Sequence, residues 1–347
     1  MHSLYCALVV ILLAAPVAAA GNAVPPGVAA CLKCHASKSL SFEFKDGSEM
    51  SLTVNAEGFL SSVHGRELSC GDCHQGYADD HPEDLVFQDR RDYRVKSYEL
   101  CRKCHFDTYT RTLESVHFGA LKRGSKGVPV CTDCHGAHEI HDPRAKRVMI
   151  SRSCASCHKD VYAEYGKSVH GAALAEDNPD VPACADCHTA HSIQTPDNGF
   201  HLASAQTCIR CHVDPKRMNK YGLPTSVAST YLADFHGVTA GLAKGSNLKA
   251  DQLVVVCADC HGNHAIARVD QAGRETMKGR AAQACTKCHQ DAPRGFPDAW
   301  LSHYPPSLHH APLVYAADLF YSFLIPVMVL GLVLQIGLHL YRATVRR

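Results

Sequence analysis

The chain has 347 residues, of which 19 are cysteine, 24 are histidine and only one is tryptophan, and its formal net charge is +1. That length suits one large domain or two of ordinary size. Thirty-five basic residues against 34 acidic ones give a mixed-sign surface, which excludes the basic footprint of a nucleic-acid binder and a polybasic membrane patch.

Residues 3–20, SLYCALVVILLAAPVAAA, are apolar and end in small residues. This is the pattern of a secretory signal peptide cut after Ala20, covering residues 1–20. Only His2 and the amino terminus precede it as cations, so an uncleaved anchor is the alternative. Cys6, inside this stretch, would leave with the signal.

From residue 31 onward one unit recurs, CxxCH. In chain order it is Cys31, Cys34 and His35; Cys70, Cys73 and His74; Cys101, Cys104 and His105; Cys131, Cys134 and His135; Cys154, Cys157 and His158; Cys184, Cys187 and His188; Cys208, Cys211 and His212; Cys257, Cys260 and His261; and Cys285, Cys288 and His289. Multiplying the chain's own Cys and His frequencies gives about 0.07 chance occurrences, against the nine present. CxxCH is the attachment signature of a c-type haem. The two thiols add across the haem vinyl groups, and the adjacent histidine reaches the iron as proximal ligand. Zinc half-sites need no histidine directly after the second cysteine. Cysteines confined to CxxC units give no framework of long disulfide loops. The expectation is nine covalently bound c-type haems as cofactors. With propionates ionised they would carry the loaded protein to a charge of roughly −8.

The motifs fall into four pairs, hereafter modules, at 31/70, 101/131, 154/184 and 208/257, with the motif at 285 standing alone. Inside each pair lies a segment like SVHG: 61–65, 115–119, 168–171 and 235–237. Three of the second motifs are followed after three residues by another histidine, in CTDCHGAH, CADCHTAH and CADCHGNH. These recurring histidines are candidate distal ligands: His64 and His81, His117 and His138, His170 and His191, His236 and His264. His303 is the candidate for the ninth haem, with His309 and His310 in reserve. His81, seven residues past His74, departs from the spacing, with His141 and His201 as alternatives. A histidine three residues beyond its own proximal ligand cannot swing to the far face of the same ring, so it is expected to serve a neighbouring haem. Eighteen axial histidines leave no open iron position, and such haems pass electrons rather than bind substrates.

The segments TYTRTLESVH and VYAEYGKSVH predict short helices ending at a glycine. Those around 45–60, 85–98 and 216–250 predict loops or small excursions. No sustained two-residue alternation is present, and about thirty residues per haem is too few for a conventional core. The expected fold is mainly α and irregular, with short helices and loops wrapped around stacked haems in one domain, residues 21–310.

Residues 319–338, LFYSFLIPVMVLGLVLQIGL, carry no charge and are long enough to span a bilayer. Pro326 is tolerated there. A transmembrane anchor is predicted over 313–340, with a basic cytoplasmic tail, 341–347, whose Arg342, Arg346 and Arg347 place the haem domain on the periplasmic side. The junction ahead of it holds Asp298, Trp300, His303, Tyr304, His309 and His310. It reads as an aromatic interface belt plus one haem ligand, with a quinone site as the alternative. His339 is expected to be interfacial.

The paired motifs, SVHG-like segments and CxDCHxxH units over residues 31–310 resemble the multihaem c-type cytochromes of bacterial respiratory chains. Residues 295–326 resemble the juxtamembrane end of cytochrome c subunits that work with a membrane cytochrome b in quinol-linked complexes. The resemblance implies electron exchange between the membrane quinone pool and periplasmic or extracellular acceptors. It implies as partners a membrane cytochrome b or other quinol-oxidising or quinol-reducing subunit, periplasmic redox proteins and membrane lipid. Only one spanning helix is present, so such a cytochrome b would be a separate chain. An electron-transfer subunit is expected rather than an enzyme. A reductase of a small nitrogen or sulfur oxyanion is the alternative, and a haem filament a third reading.

Overall fold

The computed structural model describes residues 24–77, 81, 85–195, 198–243, 254–268, 283–293, 295–296, 303–309 and 311–345. The predicted signal segment, Asp298, Trp300, His310, Arg346 and Arg347 lie outside the described residues. The described chain is mainly short helices, with one two-stranded sheet and one long apolar helix at its C-terminal end. It divides into two units, residues 1–104 with 130–142, and residues 105–129 with 143–347.

In the first unit, helix Pro26–His35 starts on a proline, whose missing N–H costs nothing there. It buries Val28 completely. A hairpin follows, Ser41–Glu43 against Glu49–Ser51, with Phe42 opposite Met50. Its turn is set by Asp46, whose side chain accepts from the amide (2.9 Å) and hydroxyl (2.6 Å) of Ser48, and by Gly47 at φ +80°. Phe42, Phe44, Phe87 and Tyr93 pack edge-on at ring separations of 5.1–6.1 Å.

The segment 85–98, expected as a loop, contains helix Arg90–Ser97. Its sequence RRDYRVKS is polar on every side, so no apolar stripe marks it. It is held instead by its cap, where Asp89 accepts from the Asp92 amide at 2.6 Å. Similarly, the region expected to be irregular around 216–250 contains helices Pro215–Met218, Val227–Ala233 and Phe235–Ala243. Val227–Ala233 and Phe235–Ala243 contribute to the small cluster of Ala205, Tyr231, Ala240, Ala243, Val254 and Val256 in the second unit.

The two segments expected to be single helices ending at glycine are each broken in two. Phe106–Thr112 is followed by Val116–Lys122, and Lys159–Gly166 by Val169–Ala175. The break falls at a serine, which caps the second helix. Ser115 accepts from the Phe118 amide at 3.1 Å and Ser168 from the Gly171 amide at 3.0 Å. Ser62 does the same for Gly65, and Asp234 for Gly237, both at 3.0 Å. Residue for residue the second and third modules repeat every 53 positions, from Arg94 and Arg147 to His138 and His191.

Thirteen apolar side chains are buried among the described residues, far fewer than a protein-only core of this length requires. The final helix, Pro312–Val345, has 34 residues, a mean hydropathy of 2.2 over its best window and none of that window buried. It is long and apolar enough to cross a membrane.

Candidate cofactor-binding sites

The motifs adopt two local structures. Four of the five first-type motifs, at Cys31, Cys154, Cys208 and Cys285, close the last turn of a helix: Pro26–His35, Arg147–Ala155, Asn198–His212 and 283–288. The motif at Cys101 sits on the short turn Glu99–Arg102. The second-type motifs each open a single helical turn: Cys70–Cys73, Cys131–His135, Cys184–His188 and Cys257–His261. Spacing of three on a helix puts both thiols on one face.

The second-type turns share a device absent from the first type. An aspartate in the third helical position folds back onto the amide that precedes the first cysteine. Asp72 accepts from Ser69 at 2.7 Å, Asp133 from Val130 at 2.8 Å, Asp186 from Ala183 at 2.7 Å and Asp259 from Val256 at 2.7 Å. The sequence reading recorded CxDCH as a pattern without seeing this role.

None of the eighteen described cysteines is in a disulfide. Among the described residues no three His, Cys, Asp or Glu side chains converge on a point where a metal ion would sit, as a zinc site requires. The thiols are instead arranged between motifs. The first cysteines of each pair lie within hydrogen-bonding reach: Cys31 with Cys70, Cys101 with Cys131, Cys154 with Cys184 and Cys208 with Cys257. Cys73 is electrostatically coupled to Cys101 and Cys104, Cys187 to Cys211, and Cys260 to Cys285. Motifs adjacent in sequence are thus adjacent in space at each of these junctions.

The imidazoles show a second arrangement. His35 faces His81 at a ring separation of 5.9 Å and His74 faces His138 at 6.1 Å. His158 faces His117 at 6.3 Å, and His212 faces His170 at 6.3 Å. His188 faces His264 at 5.9 Å, His289 faces His236 at 6.5 Å, and His261 faces His303 at 6.0 Å. Every pair joins one motif histidine to one histidine outside the motifs. A metal–imidazole bond of about 2.0 Å, plus about 1.1 Å from nitrogen to ring centre, places two rings on one metal about 6.2 Å apart. All seven pairs fall within 0.3 Å of that separation. It is too wide for a direct hydrogen bond and too wide for ring stacking in contact. The residues present therefore fit a group carrying a metal with two axial imidazoles.

A ligand imidazole must be neutral. Burial holds His74, His117, His138, His188, His212, His261 and His303 below the ordinary histidine value, and brings His170 down to about 4. At His35 the orientation is fixed as well. Its Nδ1 donates to the Leu52 carbonyl at 2.9 Å, leaving Nε2 as the free acceptor.

The SVHG segment explains how a distal candidate is aimed. At His117 and His170 the capping serine makes the histidine the second residue of its helix, and at His236 Asp234 stands in the serine's place. The preceding valine amide donates to the carbonyl two residues beyond a +3 histidine: Val63 to Ile140, Val116 to Ile193 and Val169 to Ile266, each at 2.9 Å. One backbone bond thereby fixes an SVHG histidine and a +3 histidine together.

The partner choice has a regular sense. His264 faces His188 rather than its own neighbour His261, and His138 faces His74 rather than His135. His117, His170 and His236 face the first motif histidine of the next pair, or the lone ninth. His64, His105, His135 and His191 also make side-chain interactions. His201 is engaged elsewhere, with both carboxylate oxygens of Asp259 at 3.0 and 3.1 Å. No family model, curated protein or solved structure matches the chain.

Proposed function

We propose that the chain is a nonahaem c-type cytochrome that carries electrons between the membrane quinone pool, through a cytochrome b or other membrane partner, and periplasmic or extracellular acceptors. The observation that carries this reading is the set of seven imidazole pairs, each matching the separation of two axial ligands on one metal and each including a CxxCH histidine. Eighteen thiols would anchor nine porphyrins, and short helices and loops would wrap around them. Bound in this way, a haem supplies one reversible electron step, and two imidazoles close both faces of its iron.

The chain's residues do the rest. Within each unit Cys–Cys neighbours bring successive attachment sites together, which supports a path in motif order through the motifs at 31 to 131 and again through those at 154 to 285. Burial holds eight of the paired imidazoles below the ordinary histidine value. His64 and His191 are the two further distal candidates. The His289 site precedes the apolar helix by 22 residues, which supports its place as the port nearest the membrane. Helix Pro312–Val345 supports a single anchor in the cytoplasmic membrane.

The test is direct. A pyridine haemochrome assay is expected to return nine haems per chain, with carbon monoxide leaving the reduced spectrum unchanged. Far fewer haems would end the reading. Stoichiometric carbon monoxide binding at one haem would move the protein toward the oxyanion reductases. In liposomes with the membrane partner, a menaquinol analogue should reduce the haems; if it fails to do so, the quinone link falls.

A further inference from the structure

Three of the four modules carry a cationic or ionisable side chain seven residues ahead of the first cysteine: Arg94 before Cys101, Arg147 before Cys154 and His201 before Cys208. Each reaches the aspartate in the second motif of its own module. Arg94 meets Asp133 at 2.9 Å, joined by Arg91 at 2.6 Å. Arg147 pairs with Asp186. His201 Nε2 lies 3.0 and 3.1 Å from the two carboxylate oxygens of Asp259.

Each carboxylate is already committed to its own turn, accepting the amide ahead of that turn's first cysteine. The cation therefore ties the helix entering the first motif to the turn carrying the second. Arg147 extends the strap, donating to the carbonyls of Pro179 (2.9 Å) and Val181 (2.7 Å). Across each clamp the first cysteines of the two motifs meet. The first module has Val24 at the corresponding place and does without a cation. Ser69 satisfies Asp72 there, and a Cβ added at Gly27 of the entering helix would lie 3.6 Å from the Ser69 Cβ.

We propose, resting on the haem reading above, that Asp133, Asp186 and Asp259 with their partners at Arg94, Arg147 and His201 are positioning residues that set the spacing of the two haems within a module. They act through the attachment turns and touch no iron. Ion pairs this exposed add little to global stability, so their role is geometric. A guanidinium fork anchored on three acceptors fixes direction in a way a single charge cannot.

The test uses full-length, haem-loaded protein and circular dichroism in the Soret region, where closely spaced haems couple into a two-signed band. Arg147→Met is expected to keep nine low-spin haems yet lose part of that band, with Arg147→Lys restoring some of it. His201→Arg, which installs the side chain used by the other two modules, is expected to retain the band in full. Asp186→Asn keeps an acceptor for the Ala183 amide while removing the charge, and is expected to behave as Arg147→Met does. Loss of haem confined to the Cys154 or Cys184 peptides in Arg147→Met also supports the clamp. An undiminished band in both Arg147→Met and Asp186→Asn, with nine haems bound, overturns it. So does a His201→Arg variant as damaged as Arg147→Met. A parent protein without haem would overturn the underlying function instead, which keeps the two failures apart.

Discussion

A methyl group is all that separates Gly171 from alanine, and the fold has no room for it. A Cβ there would sit 2.0 Å from the carbonyl oxygen of Tyr165, and at Gly65 and Gly237 the corresponding contacts to Phe59 and Tyr231 are 1.9 Å. At these three positions the residue after the distal candidate must be small, because it abuts a carbonyl near the end of the helix before. In the second module Phe118 stands at this place. Gly171→Ala is expected to destabilise the protein by about 1–3 kcal/mol, seen as a lower melting temperature. The histidines themselves were legible because they recur in step with the motifs. Which one faces which was not, because spacing along a chain says nothing about what folds opposite. The reading that a +3 histidine avoids its own ring followed from reach alone, and the structure adds its partner. His264→Ala should therefore open one site, so that the reduced variant binds about one carbon monoxide per chain while the parent binds none. The cations at Arg94, Arg147 and His201 escaped the sequence reading because a charge in a polar helix ordinarily means a solvated face. Their common offset from the first cysteine was the available signal.

Among the elements, the least legible were those whose stability owes little to an apolar stripe. Helix Arg90–Ser97 presents none and is fixed by a capping aspartate, the Lys96–Asp92 pair and packing of Phe87 on Tyr93. The broken helices before His117 and His170 were read as continuous because serine is tolerated inside helices. Here its hydroxyl competes for the backbone and starts a new one. The terminal helix was legible from composition. At 1.5 Å per residue its 34 residues reach about 51 Å, against roughly 30 Å of hydrocarbon. Ending the chain after Ala311 is expected to release the haem-loaded protein from membranes into the soluble fraction. Persistence in the pellet after an alkaline carbonate wash would show that another segment holds it there.

For the molecule as a whole, the scarcity of buried apolar side chains was foreseeable from the number of residues per motif. The architecture that results was foreseeable only in class: short helices, few strands and one apolar end. Under the proposed function, a chain with this little protein core would depend on its haems to fold. Expressed without haem attachment, it is expected to show no cooperative melting transition by calorimetry, while the loaded protein shows one. A sharp transition in the unloaded chain would mean that the helices pack without porphyrin.

The direction in which imidazoles are lent has a bearing on biosynthesis. His117, His170 and His236 precede the motif histidines they face, so under the proposed function those sites would close as soon as their cysteines are exported. His35, His74, His188 and His261 face residues that follow, at His81, His138, His264 and His303. Under the proposed function, a polypeptide exported amino end first would leave four of the seven paired sites half-dressed until a later stretch arrives. Newly made protein stalled at such a point would be briefly open to oxygen or small ligands, a vulnerability that the finished chain no longer has.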